Sequence, residues 1–126
     1  MRLLLDTHVV LWQLGGERQL GPTAKATIAV AEELVFSVVS FAEIGVKASV
    51  GKLVVPSDLD AHVANAGIRV LGLSAAHGLA VAELPLHHRD PFDRLLIAQT
   101  IEAGCTLMSA DERMRDYDVA VLDPLT

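Results

Sequence analysis

The sequence predicts an α/β fold with a mostly parallel sheet covered on both faces. Short unbroken runs of Leu, Val and Ile alternate along the chain with stretches of helical spacing, the order expected of βα units. The runs are apolar at every position rather than every second one, so each strand is buried from both sides, as parallel strands are. Apolar residues form 52% of the chain and aromatics only 4%, which describes a core of Leu, Val, Ile and Ala. At 126 residues the chain is long enough for one such core, and residues 1–126 are read as a single domain.

Each element has its own signal. "RLLL" (2–5) reads as a buried strand, followed by a short amphipathic segment to Leu14 and a break at Gly15-Gly16. Pro22, suited to a first helical position, opens a helix running to Glu33. "LVFS" (34–37) is the second strand, and "SFAEIGVKASVG" is a helix closed by Gly51. Ser57 and Gly67 bound the next helix as cap and terminator, and "IRVL" (68–71) is the third strand. Ser74 caps a helix ending before Pro85. In "HHRDPFDRLLIAQ", Asp90 is an N-cap, Pro91 a first helical residue, and the helix runs to about Ala103 with Gly104 as its stop. "CTLMS" (105–109) is the fourth strand, a helical turn follows Asp111, and "VAVL" (119–122) is the last strand.

Composition narrows the function. Net charge is −6 and pI about 5.2, which excludes a nucleic-acid binder relying on positive charge alone. A cation would have to supply what the side chains lack. The single cysteine, Cys105, has no internal partner for a disulfide, in keeping with a reducing cytoplasm. "MRLLLDTHVVLW" meets Asp6 too early for a signal segment or a membrane span. The expectation is a cytoplasmic protein with no membrane contact. The apolar excess points to a partner or a second copy covering part of the surface.

Parallel topology places the acids. Ligands of open α/β sheets bind beyond the carboxyl ends of the strands. Asp6 follows the first strand and Asp111 the fourth, so both stand at that edge. Glu43 lies near the start of the helix after strand two. The helix opened by Asp90 runs antiparallel to the strand it precedes, so Asp90 and Asp93 face the same edge. Carboxylates so close together stay ionised only with a cation among them. Oxygen ligands without a His or Cys cluster at metal spacing suit Mg²⁺ or Mn²⁺. A metal there activates water and neutralises phosphoryl oxygens, so metal-assisted phosphodiester hydrolysis is the reaction class implied.

Each acid also has a plainer reading. Glu43 can belong to a capping box with Ser40 in "SFAE". Asp111 can cap the turn before Arg113, and Asp90 can pair with Arg94 one turn on. Asp6, behind an apolar strand, is the hardest to explain structurally. The five histidines (His8, His62, His77, His87, His88) show no ligand spacing, and His87-His88 reads as exposed loop. Trp12 and Phe92 read as core residues.

Four stretches together, "LLLDTHVVLW", "SVVSFAEIGVKASVGKL", "HHRDPFDRLLIAQ" and "LMSADERM", resemble the motifs of PIN-domain ribonucleases, specifically the VapC toxins of bacterial type II toxin–antitoxin pairs. The resemblance covers essentially the whole chain. Carried over by position, the family's metal-binding and catalytic acids fall on Asp6, Glu43, Asp93 and Asp111, with Asp93 rather than Asp90 at the metal. Ser109 stands where the family commonly has threonine, which keeps a hydroxyl. Phe41-Ala42 replaces an aromatic commonly found just before the glutamate, without removing a ligand. The resemblance implies a three-layer α/β/α sandwich and endonucleolytic cleavage of RNA with Mg²⁺, or Mn²⁺ in its place. It also implies inhibited translation, a VapB-type antitoxin bringing a basic residue to the acidic site, and a homodimer.

Rival readings fare less well. A haloacid-dehalogenase-type phosphatase needs D-x-D after its first strand, and Asp6 is followed by Thr7 and His8. A receiver domain wants paired acids there and a lysine after its last strand. A non-catalytic module whose acidic pocket binds a basic partner, and a PIN-like nuclease acting on DNA, are the alternatives left.

Overall fold

In the computed structural model, residues 1–15 and 20–126 are described. Five parallel strands, β1 (Arg2–Leu5), β2 (Glu33–Ser37), β3 (Arg69–Leu71), β4 (Thr106–Met108) and β5 (Val121–Leu122), pair in the order β3-β2-β1-β4-β5. The α-helices are α1 (Thr7–Gly15), α2 (Pro22–Val30), α3 (Val38–Ser49), α4 (Leu59–Asn65), α5 (Ala75–Ala80) and α6 (Pro91–Ala103). Two 3₁₀ turns, Val81–Glu83 and Glu112–Asp116, complete the described elements.

The central strand shows why the chain forms layers. Leu3, Leu4 and Leu5 are all fully buried. Because side chains alternate across a strand, Leu3 and Leu5 enter one core with Val9, Val10, Phe36, Ile44 and Val63, from α1, β2, α3 and α4. Leu4 enters the other, with Leu96 and Ile97 of α6, Leu107, Met114 and Tyr117. Register aligns Leu4 with Val35 on one side and Leu107 on the other.

Strand order then decides where a ligand can sit. The chain lays β2 and β3 on one side of β1, then crosses to lay β4 and β5 on the other. That reversal beside β1 opens a crevice at the carboxyl ends of β1 and β4, the usual binding place of such sheets. Asp6 and Ser109 immediately follow those two strands.

Helix α6 is oriented by its ends. Asp90 accepts hydrogen bonds from the Phe92 and Asp93 N–H groups at 2.9 and 3.2 Å, with Pro91 as the first helical residue. Gly104 closes the helix in the left-handed region at φ 67, where a side chain would be strained. Gly21 has a different reason: a Cβ there would lie 2.1 Å from the Thr126 backbone, which docks at the start of α2.

Several boundaries differ from expectation. The helix from Pro22 ends at Val30, and Glu33 joins β2, where Arg2 and Arg69 of the adjoining strands pair with its carboxylate. Helix α3 begins at Val38 because the Ser37 hydroxyl accepts from the Val39 N–H. Helix α4 is entered through Asp58 rather than Ser57. The expected helix from Ser74 to Pro85 is α5 followed by a 3₁₀ turn. Residues 68, 105, 109, 119 and 120 fall just outside their strands. Gly15 ends α1, and Gly16 lies outside the described residues.

Candidate active site

Asp6 is held where the central strand stops. Its N–H donates to the Met108 carbonyl at 2.9 Å. Its carboxylate accepts from the Thr7 N–H and from the Ser109 hydroxyl, both at 2.7 Å. Burial pushes its pKa up, while those two hydrogen bonds pull against the shift. Each oxygen accepts one hydrogen bond and so keeps a lone pair for a cation. Ser109 also accepts from the Asp111 N–H at 3.1 Å, so one hydroxyl ties together the ends of β1 and β4.

Glu43 is not part of a capping box with Ser40. The cap of α3 is Ser37, which puts Glu43 in the second turn, where it is buried. Its carboxylate accepts from the Thr7 hydroxyl at 2.7 Å and meets the Lys47 ammonium at 3.1 Å. Thr7 thus touches both Asp6 and Glu43, through its N–H and its hydroxyl.

The start of α6 brings two more acids. Asp90 caps the helix and makes no ion pair with Arg94. The Arg94 guanidinium instead donates to the carbonyls of Pro85 and Val81, at 3.0 and 3.2 Å, and to the Tyr117 hydroxyl at 3.2 Å. Asp93 has its pKa raised to about 6, chiefly by burial and then by the negative charges of Asp90, Asp6 and Glu43. These acids therefore feel one another electrostatically.

His88 corrects the reading of an exposed pair. His87 is exposed, but His88 is buried, its N–H donating to the Tyr117 hydroxyl at 2.8 Å. Its Nδ1 accepts from the Asp90 N–H at 3.3 Å. Nε2 stands 2.7 Å from Asp93 Oδ2 and 3.8 Å from Asp111 Oδ2. It makes no hydrogen bond there, because the ring N–H is not aimed along the Oδ2 direction. The contact is electrostatic and offsets part of the repulsion on Asp93. The ring is grouped with Asp93 and Asp111 as a possible donor to a cation.

Asp111 caps the 3₁₀ turn after β4, accepting from the Arg113 N–H at 3.0 Å. The Arg113 guanidinium also grips both its oxygens, at 3.1 and 3.0 Å, and holds its carboxyl below the usual range.

All the acids expected from the sequence line one cavity of about 330 Å³, joined there by His8, Trp12, Lys47, Asp90, Ala110 and Arg113. Glu43, Asp90 and Asp93 place carboxylate oxygens within 4.8 Å of one another, and His88, Asp93 and Asp111 form a second such group. Asp6 belongs to neither group, though it shares the cavity wall. The donors fit a hard cation: they are mostly carboxylate oxygens, and Asp93 is raised by burial and by the charges of the acids around it. Spacing arguments missed Lys47, Arg113 and His88, and gave Trp12 to the core. The i, i+4 relation of Glu43 to Lys47 was the one available signal.

A family model described as PIN domain matches residues 3–120. The chain belongs to the PIN domain family. Ribonuclease VapC22 of Mycobacterium tuberculosis is 30% identical over 123 residues, covering 91% of each chain. Among solved structures, VapBC2 from Rickettsia felis, bound to a promoter DNA fragment, superposes with a TM-score of 0.70 at 17% identity, over 97% of this chain and 98% of that one. FitAcB from Neisseria gonorrhoeae superposes with a TM-score of 0.65 at 19% identity, over 97% of each chain. This PIN domain thus has the three-layer architecture expected, with its acidic cluster beside the carboxyl end of β1.

Proposed function

We propose that this PIN domain is a metal-dependent endoribonuclease of the VapC kind, the toxin of a type II toxin–antitoxin pair, whose cleavage of RNA inhibits translation. The observation that carries this reading is the convergence of Asp6, Glu43, Asp93 and Asp111 on one cavity at the sheet's switch point. The kinship with Ribonuclease VapC22 supports RNA as the substrate.

Asp6, Glu43, Asp93 and Asp111 would hold Mg²⁺, or Mn²⁺ in its place, and Asp90 is close enough to share the site. The bound metal would supply an acidified water and positive charge against the phosphoryl oxygens. Thr7 and Ser109 orient the Asp6 and Glu43 carboxylates, so those acids enter the reaction already positioned.

A VapB-type antitoxin is the proposed partner, as in the VapBC2 structure. An apolar groove lined by Leu11, Leu14, Leu53, Val54, Val55 and Leu59 supports docking of a partner segment. The exposed Leu79 and Leu86 support a homodimer. Among the described residues no helix is long and apolar enough to cross a membrane, and the cytoplasm is the proposed compartment.

The test is cleavage of single-stranded RNA by the purified chain with Mg²⁺ or Mn²⁺, against EDTA and against Asp6→Asn, with single-stranded DNA alongside. Metal-dependent RNA cleavage lost in Asp6→Asn is expected. Equal cleavage by the variant refutes the assignment, and preference for DNA redirects it to the other PIN-like nucleases. A site that binds basic peptides but cuts neither would favour the non-catalytic module.

A further inference from the structure

The acids of the metal site open the stretch "DPFDRLLIAQ", and Gln99 ends it. Gln99 is polar and fully buried. A leucine or methionine would fill much the same space and need no partners there. The amide needs a reason of its own.

Its two ends hold two different elements. Nε2 donates to the Gly72 carbonyl at 3.0 Å, just past the carboxyl end of β3. Oε1 accepts from the Ser37 hydroxyl. That hydroxyl is itself the cap of α3, accepting from the Val39 N–H at 3.0 Å. The orientation of the amide is forced, because a carbonyl can only accept and the Ser37 oxygen has a proton to give. One side chain of α6 thus ties that helix to the first turn of α3 and to the loop after β3. Ser37 is as fully buried as Gln99, so water does not compete for the link.

The two helices joined in this way carry acids that must meet at the metal. Glu43 stands six residues after Ser37, and Asp93 six residues before Gln99 on α6. Each acid therefore lies about 9 Å along its helix from the link. Over that length a helix acts as a stiff rod, and a tilt or slip at the joint passes to the carboxylates. The Glu43 and Asp93 oxygens come within 4.8 Å of each other. A cation between them needs its ligands placed to within about 0.5 Å.

Resting on the metal site proposed above, we propose that Gln99 is a positioning residue: bonded at once to Ser37 and Gly72, it fixes where α6 sits against α3 and so the separation of Asp93 from Glu43. Its mark is selectivity among cations. Mg²⁺ demands near-ideal octahedral geometry, whereas Ca²⁺ accepts longer and less regular ligand sets. Loosening the link should weaken Mg²⁺ binding about 10-fold, the lower end of what outer supports of metal ligands contribute, and Ca²⁺ binding much less.

Calorimetric titration of the purified chain with MgCl₂ and with CaCl₂ reads this without RNA. Gln99→Met should lower Mg²⁺ affinity about 10-fold and shift the ratio of the two affinities towards Ca²⁺. Ser37→Ala should shift the ratio the same way, and the double variant no further than Gln99→Met alone, because one bond cannot be lost twice. The double variant leaves neither end of that bond orphaned, so it carries the test if Gln99→Met does not fold. Thr100→Val is the control. The Thr100 hydroxyl donates to the Leu96 carbonyl at 2.7 Å, a bond equally buried but internal to α6. Whatever its loss does to melting, the cation ratio should not move. An unchanged ratio in Gln99→Met and in the double variant overturns the proposal, and so does an equal shift in Thr100→Val. If the wild type binds Mg²⁺ yet either result appears, only the positioning role fails. If it binds neither cation, the proposed function fails first and this role with it.

Discussion

The two ends of the sheet treat a carboxylate in opposite ways. At the amino ends of the strands, Glu33 lies across from Arg2 in register and also meets Arg69 of β3. Its pKa is pushed down, first by the hydrogen bond from Arg69. At the carboxyl ends, Asp93 sits among Asp90, Asp6 and Glu43, and burial with their charges pushes it up to about 6. One acid has two arginines to itself, while the others crowd together with Lys47, Arg113 and His88 at the margin. Glu33 is an ion pair that joins three strands. The cluster groups its oxygens closely enough to hold a metal ion.

The largest expected effect is on cleavage. Asp93→Asn should lower metal-dependent cleavage by at least about 100-fold, the scale of the several kcal/mol that a bound metal contributes. Glu33→Gln should leave the rate unchanged. Comparable losses in both variants would erase the distinction between the two ends.

A second contrast concerns pH in the metal-free protein. Asp93 has a folded pKa above its unfolded value, so its ionisation opposes folding above about pH 6 and ceases to do so below about pH 4. With EDTA present, stability should therefore rise as pH falls from 7.5 to 5, by about 1 kcal/mol, with the rest of the gain arriving by about pH 4. Asp93→Asn should flatten that rise. Glu33 works the other way: its depressed pKa adds stability at neutral pH that is lost below about pH 4.5. Melting curves from about pH 7.5 down to about pH 3 check both signs, and a wild type that melts steadily lower from pH 7.5 to 5 would contradict the Asp93 environment.

Asp90 sharpens the comparison, since it stands in both roles. As the cap of α6 its loss in Asp90→Ala should cost roughly 0.5–2 kcal/mol, or a melting shift of about 2–8 °C at this size. Its carboxylate also lies with those of Glu43 and Asp93, so the variant should need more Mg²⁺ while keeping part of its activity. A stable but inactive Asp90→Ala would exchange the parts given to Asp90 and Asp93. The smallest effect should be on the stability of Glu33→Gln, because its ion pairs are open to solvent and screened by salt. Melting under low and high salt measures it.

Much of this was legible in the sequence because it depends on local rules. Unbroken apolar runs announce buried parallel strands, and Asp90-Pro91 with Gly104 announces a helix by its ends. The strand–helix order alone sets Asp6, Glu43, Asp93 and Asp111 at one edge, since parallel strands all finish on the same side. Boundaries were less legible where a tertiary partner won over local preference. Glu33 left the expected helix because two arginines on neighbouring strands await it. Ser37, not Ser40, caps α3, and a pattern of residue types offers both.

What only the tertiary structure decided is the surroundings of those acids. His88 looks like half of an exposed pair until the Tyr117 hydroxyl, distant in sequence, takes its N–H and buries it. Trp12 looks like core, yet the valines beside it fill the core and Trp12 lines the cavity. The grip of Arg113 on Asp111, and of Thr7 on Glu43, depends on side-chain directions that spacing does not carry. Sequence determined which groups arrive at the crevice, because chain direction and strand order place them. Folding determined their charge and contacts, because burial and neighbouring charges set a pKa and both are long-range.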